Sequence, residues 1–321
     1  MNFARISRHK FRNFLQTLLM LGGMSLLLAL CVELLFGQEL WLWVFISTAV
    51  TIFALPDMSP RWLLHLYQAK PITPDQAPKL RMIIEELSRR AKLESIPALY
   101  WIPSKTTNAF SVGRTDDTAI ALTDGILQLL SLRELTAVLA HETAHLANND
   151  IRLMSIADLI SRLTHLMSSL GIILLLATFP LLFLGYTPFS LWGILLLIVS
   201  PTLSAVMQLG LSRIREFDAD LVAAELTGDP TGLAQALNRI AHPNGRIWQN
   251  LLLPGYRRPE PSLLRTHPEP AERIDRLLEL ADRSDIYIDP MEAFPDQSVD
   301  LPANYTTRLS PRHRTLFRIW R

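Results

Sequence analysis

Two long stretches of the chain contain no lysine or arginine, and they constrain its fold more than any other feature. They are residues 13–60 and 163–212, and both are dominated by Leu, Ile, Val and Phe. A helix rises about 1.5 Å per residue, so about 20 apolar residues cross a hydrocarbon core about 30 Å thick. Each stretch is long enough for two crossings, which predicts two transmembrane hairpins.

The first hairpin begins with a predicted span over residues 13–36. A cleaved signal peptide is the alternative, but this stretch is longer than an ordinary signal core and no small-residue cleavage site follows it. The second apolar segment, residues 40–55, is short for a full crossing, so a re-entrant segment is an alternative there. Trp41 and Trp43 near its start suit the aromatic belt at a membrane interface.

The second hairpin is predicted from residues 166–184 and 189–211, which a very short turn joins. Basic residues flank both hairpins, namely Arg5, Arg8, Lys10, Arg12, Arg61, Arg152, Arg162, Arg213 and Arg215. By the positive-inside rule, the amino terminus and all segments outside the membrane face the cytoplasm.

The composition fits a membrane protein. Apolar residues make up 49% of the chain and charged residues 19%, so a soluble helical protein with a very apolar core is the weaker alternative. The 31 basic and 30 acidic residues nearly cancel, and no overall charge indicates nucleic acid as a partner. The single cysteine, Cys31, rules out an intrachain disulfide and is expected to pack as a small apolar side chain.

A predicted helix between the hairpins carries the clearest chemical motif. Ser131 and Glu134 have the Ser-x-x-Glu spacing of a capping box, which predicts a helix running to about residue 148. His141 and His145 are four residues apart, so both imidazoles lie on one helix face and can bind one ion. Glu142 is then placed to activate the attacking water and to pass its proton to the leaving amine. This His-Glu-x-x-His pattern predicts a zinc hydrolase, although so short a pattern also arises by chance.

A catalytic zinc ion needs a third protein ligand and an open position. The next candidate is Glu216, which follows the second hairpin in residues 212–226, a segment whose alanine content predicts a helix. Asp220 lies one turn further on the same face and could accept a hydrogen bond from a ligating histidine. A solvated charged face beside the membrane is the alternative interpretation of this segment.

Residues 98–102 and 118–122 are predicted to be short strands, separated by the turn-rich residues 103–117. Asn108, Ala109 and Phe110 fall in that predicted turn. In zinc proteases an edge strand can receive an extended peptide through backbone pairing, which tolerates many sequences.

Taken together, these segments resemble the HtpX-like membrane metalloproteases, relatives of the Ste-type CAAX prenyl proteases. The resemblance covers about residues 1–280. It rests on five motifs, namely TNAFSVG (107–113), TDGIL (123–127), LSLRELTAVLAHETAHLANND (130–150), SRIREFDAD (212–220) and THPEPAERIDRL (266–277). It implies one zinc ion per chain, bound by His141, His145 and Glu216, with Glu142 as the general base. It also places Asn108, Ala109 and Phe110 beside the substrate cleft.

The resemblance further implies a fold and a biological role. The expected fold class is a mainly α membrane protein, with four transmembrane helices in two hairpins and a cytoplasmic gluzincin-like α+β catalytic domain with a small sheet. The expected location is a bacterial inner membrane. The expected partners are the lipid bilayer and membrane-protein or unfolded polypeptide substrates. The expected biological role is protein quality control by cleavage of these substrates.

His267 precedes a short amphipathic helix in the motif THPEPAERIDRL. Hydrolysis profits from a donor aimed at the developing oxyanion, and His267 or Arg273 could supply it. A helix cap and a surface salt bridge are the structural alternative.

The predicted organisation divides the chain into five parts. Residues 1–60 form a basic leader and the first hairpin, 61–165 and 212–283 form two parts of the catalytic domain, 166–211 form the second hairpin, and 284–321 form a tail. The tail ends in RHRTLFRIWR, which suits anionic headgroups, although a solvated tail docked on its own domain is the alternative.

Two other functions are open at this point. One is a selective processing protease for lipidated or prenylated substrates. The other is a non-catalytic membrane scaffold that contains zinc. Glu142 argues against the scaffold, because a structural zinc site needs no base and usually closes its fourth position with protein.

Overall fold

The computed structural model of the protein describes residues 3–37, 60–114, 117–182, 191–241 and 270–282. The helices are α1 (Phe3–Phe36), α2 (Pro60–Leu66), α3 (Pro78–Ala91), α4 (Asp124–Leu129), α5 (Leu132–Ala147), α6 (Asp150–Leu182), α7 (Leu191–Thr227), α8 (Pro230–Ala241) and α9 (Pro270–Asp282). The strands are β1 (Lys70–Pro71), β2 (Ala98–Ile102), β3 (Ala109–Arg114) and β4 (Asp117–Thr123). The described fold is therefore mostly helical, with one small sheet.

Three helices are long and apolar enough to cross a membrane. The candidate spans are Phe11–Phe36 in α1, Asp150–Pro180 in α6 and Trp192–Thr227 in α7. Their outward side chains include Trp192, which is 81% exposed, and Leu176, which is 67% exposed. Such large apolar side chains are unfavourable in water, so the outer surface of these helices suits lipid.

The three membrane helices pack against one another through a compact set of side chains. The buried members of this set are Met24, Leu28, Val32, Ala157, Ile160 and Leu211. The first, third and fourth predicted spans thus coincide with apolar helices. The second predicted segment, residues 40–55, lies outside the described residues.

The helices α6 and α7 extend well beyond the spans predicted from the sequence. Residues 150–165 continue α6 with a polar side, on which Arg162 donates a hydrogen bond to Asp158 at 2.7 Å. Residues 212–226 are helical, as the sequence predicts, and continue α7 without a break. The predicted junctions at 165/166 and 211/212 consequently fall inside continuous helices, and the division into domains stays a prediction.

The sheet has the strand order β1-β2-β4-β3, with β2 parallel to β4 and the other two pairs antiparallel. Ile120 and Leu122 of β4 face the core that includes α3 and α5, whereas Ala119 and Ala121 face α2. The strand β3 lies at one edge of this sheet and packs against α5. The sheet therefore brings an edge strand next to the helix that carries the histidine motif.

The turn predicted for residues 103–117 is wrong over the strand β3. Ala109 and Phe110 are strand residues, and Asn108 immediately precedes the strand. Gly113 is a poor strand former, and only Phe110 and Val112 in this segment favour a strand. Its strand conformation comes from pairing with β4, in a register that runs from Ala109 opposite Leu122 to Arg114 opposite Asp117.

Candidate metal centre

The helix α5 begins at a capping box, as the sequence predicts. The Ser131 side chain accepts a hydrogen bond from the Glu134 backbone N–H at 3.4 Å, and the Glu134 carboxylate accepts one from the Ser131 N–H at 2.8 Å. Almost the whole helix is buried, including His141 and Glu142. Polar groups in such a place need specific partners, because unpaired burial is costly.

Helices α5 and α7 bring His141, His145 and Glu216 together. The Nε2 atoms of the two histidines are 3.1 Å apart. Glu216 places Oε2 at 3.4 Å from His141 Nε2 and Oε1 at 3.5 Å from His145 Nε2. Atoms that share a tetrahedral zinc ion at 2.0 to 2.1 Å lie about 3.3 Å apart, so these three side chains fit one ion.

Each histidine also has its other ring nitrogen near a carboxylate. His145 Nδ1 is hydrogen-bonded to Asp150 Oδ2 at 2.7 Å. His141 Nδ1 lies 3.0 Å from Asp220 Oδ1. A carboxylate on Nδ1 favours the tautomer that leaves Nε2 available as a ligand, and it fixes the ring orientation. Both Nε2 atoms therefore face the point that they share with Glu216.

Asp220 was predicted from the sequence in this orienting position, whereas Asp150 was not. Asp150 is the first residue of α6 and follows a turn in which Asn149 has a positive φ of 54°. That reversal brings the carboxylate back towards His145. The available signal was its place at the end of the HETAHLANND segment, because an acidic residue shortly after a ligand pair can reach the second histidine.

Arg273 of α9 binds two of the acidic residues of α7, Asp220 and Glu216. Its Nε donates to Asp220 Oδ2 at 2.7 Å, and its Nη2 donates to Asp220 Oδ1 at 2.6 Å. Its Nη1 lies 2.9 Å from Glu216 Oε2. The side chain is 3% exposed, and Nη2 is also 3.5 Å from His141 Nε2. The guanidinium that the sequence offered as an oxyanion donor is thus engaged with the carboxylates of the cluster.

The carboxylates also set the proton affinity of the histidines. Burial lowers the pKa of His145, but the bonds to Asp150 and Glu216 outweigh burial and raise this pKa to about 10. The pKa of His141 is likewise raised, because Asp220 and Glu216 outweigh the effect of burial. The negative field that raises these two pKa values also favours a divalent cation between the imidazoles.

The remaining predicted site residues have separate positions. Glu142 is 4% exposed and follows His141 on α5. Ala109 and Phe110 direct their side chains into the two cores on opposite faces of the sheet. The Asn108 N–H donates to Thr123 Oγ1 at 2.9 Å, and its carbonyl accepts from the same hydroxyl at 2.8 Å. His267 lies outside the described residues.

Replacing Arg273 by Met should destabilise the fold by about 3 to 5 kcal/mol, because it leaves buried carboxylates without their cation. Arg273→Lys should recover part of this loss, since it restores the charge but not the planar fork. Denaturant unfolding of the detergent-solubilised protein measures the difference. The control is Arg81→Met, whose pair with Glu85 is solvent-exposed and should contribute little. Equal stability of the Arg273 and Arg81 variants would contradict the proposed role of Arg273.

A buried His-Glu-x-x-His helix, completed by a glutamate on a helix continuous with a candidate membrane span, defines the class of membrane metalloproteases. The model of peptidase family M48 matches residues 74–281. The chain therefore belongs to peptidase family M48, as an HtpX-like metalloprotease. Membership of this family implies a metal cofactor.

Two protease HtpX homologs agree with this assignment. A protease HtpX homolog from Acaryochloris marina is 37% identical over 232 residues, which cover 68% of this chain and 77% of the relative. Another from Burkholderia ambifaria is 32% identical over 291 residues, which cover 84% of this chain and 97% of the relative. The crystal structure of Ste24p from S. mikatae is similar with a TM-score of 0.44 and 24% identity, over 85% of this chain and 66% of that chain.

Proposed function

We propose that this protein is a zinc endopeptidase that cleaves misfolded or damaged membrane proteins at the cytoplasmic face of a bacterial inner membrane. The observation that carries the proposal is the buried cluster of His141, His145 and Glu216. Its first two members come from α5, and the third comes from α7, the helix that contains a candidate membrane span. A protease built in this way keeps its site close to the surface from which membrane substrates emerge.

The residues of the cluster have distinct proposed roles. His141, His145 and Glu216 would hold zinc, which makes a water nucleophilic near neutral pH and polarises the scissile carbonyl. Glu142 would accept a proton from the attacking water and return it to the leaving amine. Asp150 and Asp220 would keep the two imidazoles in the ligating tautomer.

The proposed substrate site follows the strand β3. Among the described residues, β3 has a neighbouring strand only on the β4 side, so its outer edge can pair with an extended peptide. Because the side chains of Ala109 and Phe110 are buried, these residues would contact substrate through their backbone. Asn108 would stand at the start of this edge. Backbone pairing suits an enzyme with many substrates, because it does not depend on substrate side chains.

The proposed topology has four spans, with residues 40–55 as the second, and a gluzincin-like catalytic part between and after the hairpins. The support is the distribution of basic residues, which leaves both apolar stretches free of Lys and Arg and places Arg213 and Arg215 just beyond the second. With this topology, the cluster of α5 and α7 would face the cytoplasm.

Proteoliposomes provide the test of substrate class. The zinc-loaded protein is reconstituted with either a stable membrane protein or a destabilised variant of that protein. We expect cleavage products from the destabilised variant only, at several positions in segments outside the bilayer. Equal cleavage of both substrates would contradict the quality-control role. A single cut confined to a lipidated peptide would instead favour a selective processing protease.

A further inference from the structure

A buried chain of polar contacts connects the first membrane helix to the histidine pair. Asn13 Nδ2 of α1 donates to Asp218 Oδ1 at 2.8 Å, and Arg215 Nη1 donates to Asp218 Oδ2 at 2.8 Å. Arg215 Nε donates to Asp150 Oδ1 at 2.6 Å. Asp150 Oδ2 is hydrogen-bonded to His145 Nδ1 at 2.7 Å. The chain thus begins in a candidate membrane span and ends on a proposed zinc ligand.

The members of this chain are shielded from water. Asn13 is 9% exposed, and the side chains of Asp150, Arg215 and Asp218 are 4%, 11% and 13% exposed. Hydrogen bonds in such surroundings are strong, and a missing partner is costly. Loss of the hydrogen bond at Asn13 should therefore change the hydrogen bonds that follow it, up to His145.

Asn13 and Arg215 bind different oxygens of Asp218. The amide of Asn13 donates to Oδ1, whereas Arg215 donates to Oδ2 through Nη1 and to Asp150 through Nε. A carboxylate and a guanidinium often pair through two parallel hydrogen bonds when no other group competes for them. Loss of the Asn13 amide would thus let Asp218 draw Arg215 away from Asp150.

We infer that Asn13 is a positioning residue of the metal centre, acting on His145 through Asp218, Arg215 and Asp150. The inference rests on the proposed function, because it requires His145 to be a zinc ligand. It gives α1 a second role besides membrane anchoring. The first membrane helix completes the outer hydrogen bonding of the site, although it is remote from that site in sequence.

Zinc affinity of the full-length protein in detergent tests the inference. Competition with a chromophoric chelator measures the dissociation constant. Asn13→Ala should weaken zinc binding by about three- to tenfold, somewhat less than the loss of a direct outer partner. The matched control is Gln16→Ala, which removes an exposed amide one turn further along α1 and should bind zinc as the wild type does. Co²⁺ in place of zinc should show an altered absorption spectrum in Asn13→Ala only.

A double-mutant cycle with Asp150→Asn separates positioning from general destabilisation. If Asn13 acts through Asp150, then Asn13→Ala causes no further loss of zinc affinity once Asp150 is replaced. Independent, multiplying effects would overturn the inference, as would an Asn13→Ala protein with wild-type affinity and spectrum. If Asn13→Ala does not fold, the similarly sized Asn13→Leu takes its place, because it also removes the amide donor to Asp218. Weaker zinc binding is expected, and unchanged binding would overturn the inference. A wild type that binds no zinc would refute the proposed function and the inference together.

Discussion

Peptide hydrolysis should fall by about 10²- to 10⁴-fold when Glu142 is replaced by Gln, the range that a positioned general base contributes. Gln has nearly the shape of Glu but cannot accept the proton of the attacking water. The zinc content should stay the same, because Glu142 is not among the three proposed ligands. Turnover of a fluorogenic peptide and elemental analysis of the same preparation measure the two quantities.

The control for this experiment is Glu85→Gln on α3, where the side chain is 44% exposed and lies in a surface pair with Arg81. This variant should hydrolyse the peptide at the wild-type rate. If Glu142→Gln is as active as this control, the base mechanism is refuted. If Glu142→Gln loses zinc along with activity, the loss is a metal defect and Glu142 has a different role from the one proposed.

Replacing Glu216 by Ala should weaken zinc binding by more than about 100-fold, beyond the 10- to 100-fold that outer hydrogen-bonding partners contribute. Two histidines four residues apart leave the ion with too few protein ligands. The variant should stay folded, because Arg273 keeps both of its hydrogen bonds to Asp220. Zinc per protein after dialysis, and the melting temperature of the same sample, test both statements.

Glu225→Ala is the matched control, since it removes a half-buried carboxylate of the same helix that lies outside the ligand cluster. It should keep its zinc. Full zinc occupancy in Glu216→Ala would show that Glu216 is not a zinc ligand. It would also contradict the proposal that α5 and the segment after the second hairpin bind one ion together.

Local patterns in the sequence predicted much of the fold. Ser131 and Glu134 predicted the start of α5, because a capping box depends on residues within one turn. The long apolar stretches predicted α1, α6 and α7, because the length and polarity of a span are properties of consecutive residues. The position of His141 and His145 on one helix face likewise follows from their spacing and helix geometry alone.

Contacts between remote segments were harder to predict. The strand β3 pairs with β4 along its whole length, whereas its own strand signal is limited to Phe110 and Val112 and ends at Gly113. The bond of Asn13 to Asp218 and the pairing of Arg273 with Asp220 join different helices, and no periodicity indicates such partners. Glu216 was reached from the sequence only because zinc chemistry requires a third ligand.

The continuous helix α7 has a consequence for which bonds of a membrane substrate can be cut. Leu209 is its last strongly exposed large apolar side chain, 66% exposed, and Glu216 follows seven residues later. At a rise of about 1.5 Å per residue, Glu216, the proposed ligand, lies about 10 Å along the helix beyond the apolar surface. An extended polypeptide covers that distance with about three residues. We therefore expect α7 to set a minimum distance between the lipid surface and the cleaved bond. Peptide bonds nearest the lipid would not be cut, whereas those a few residues further out would be.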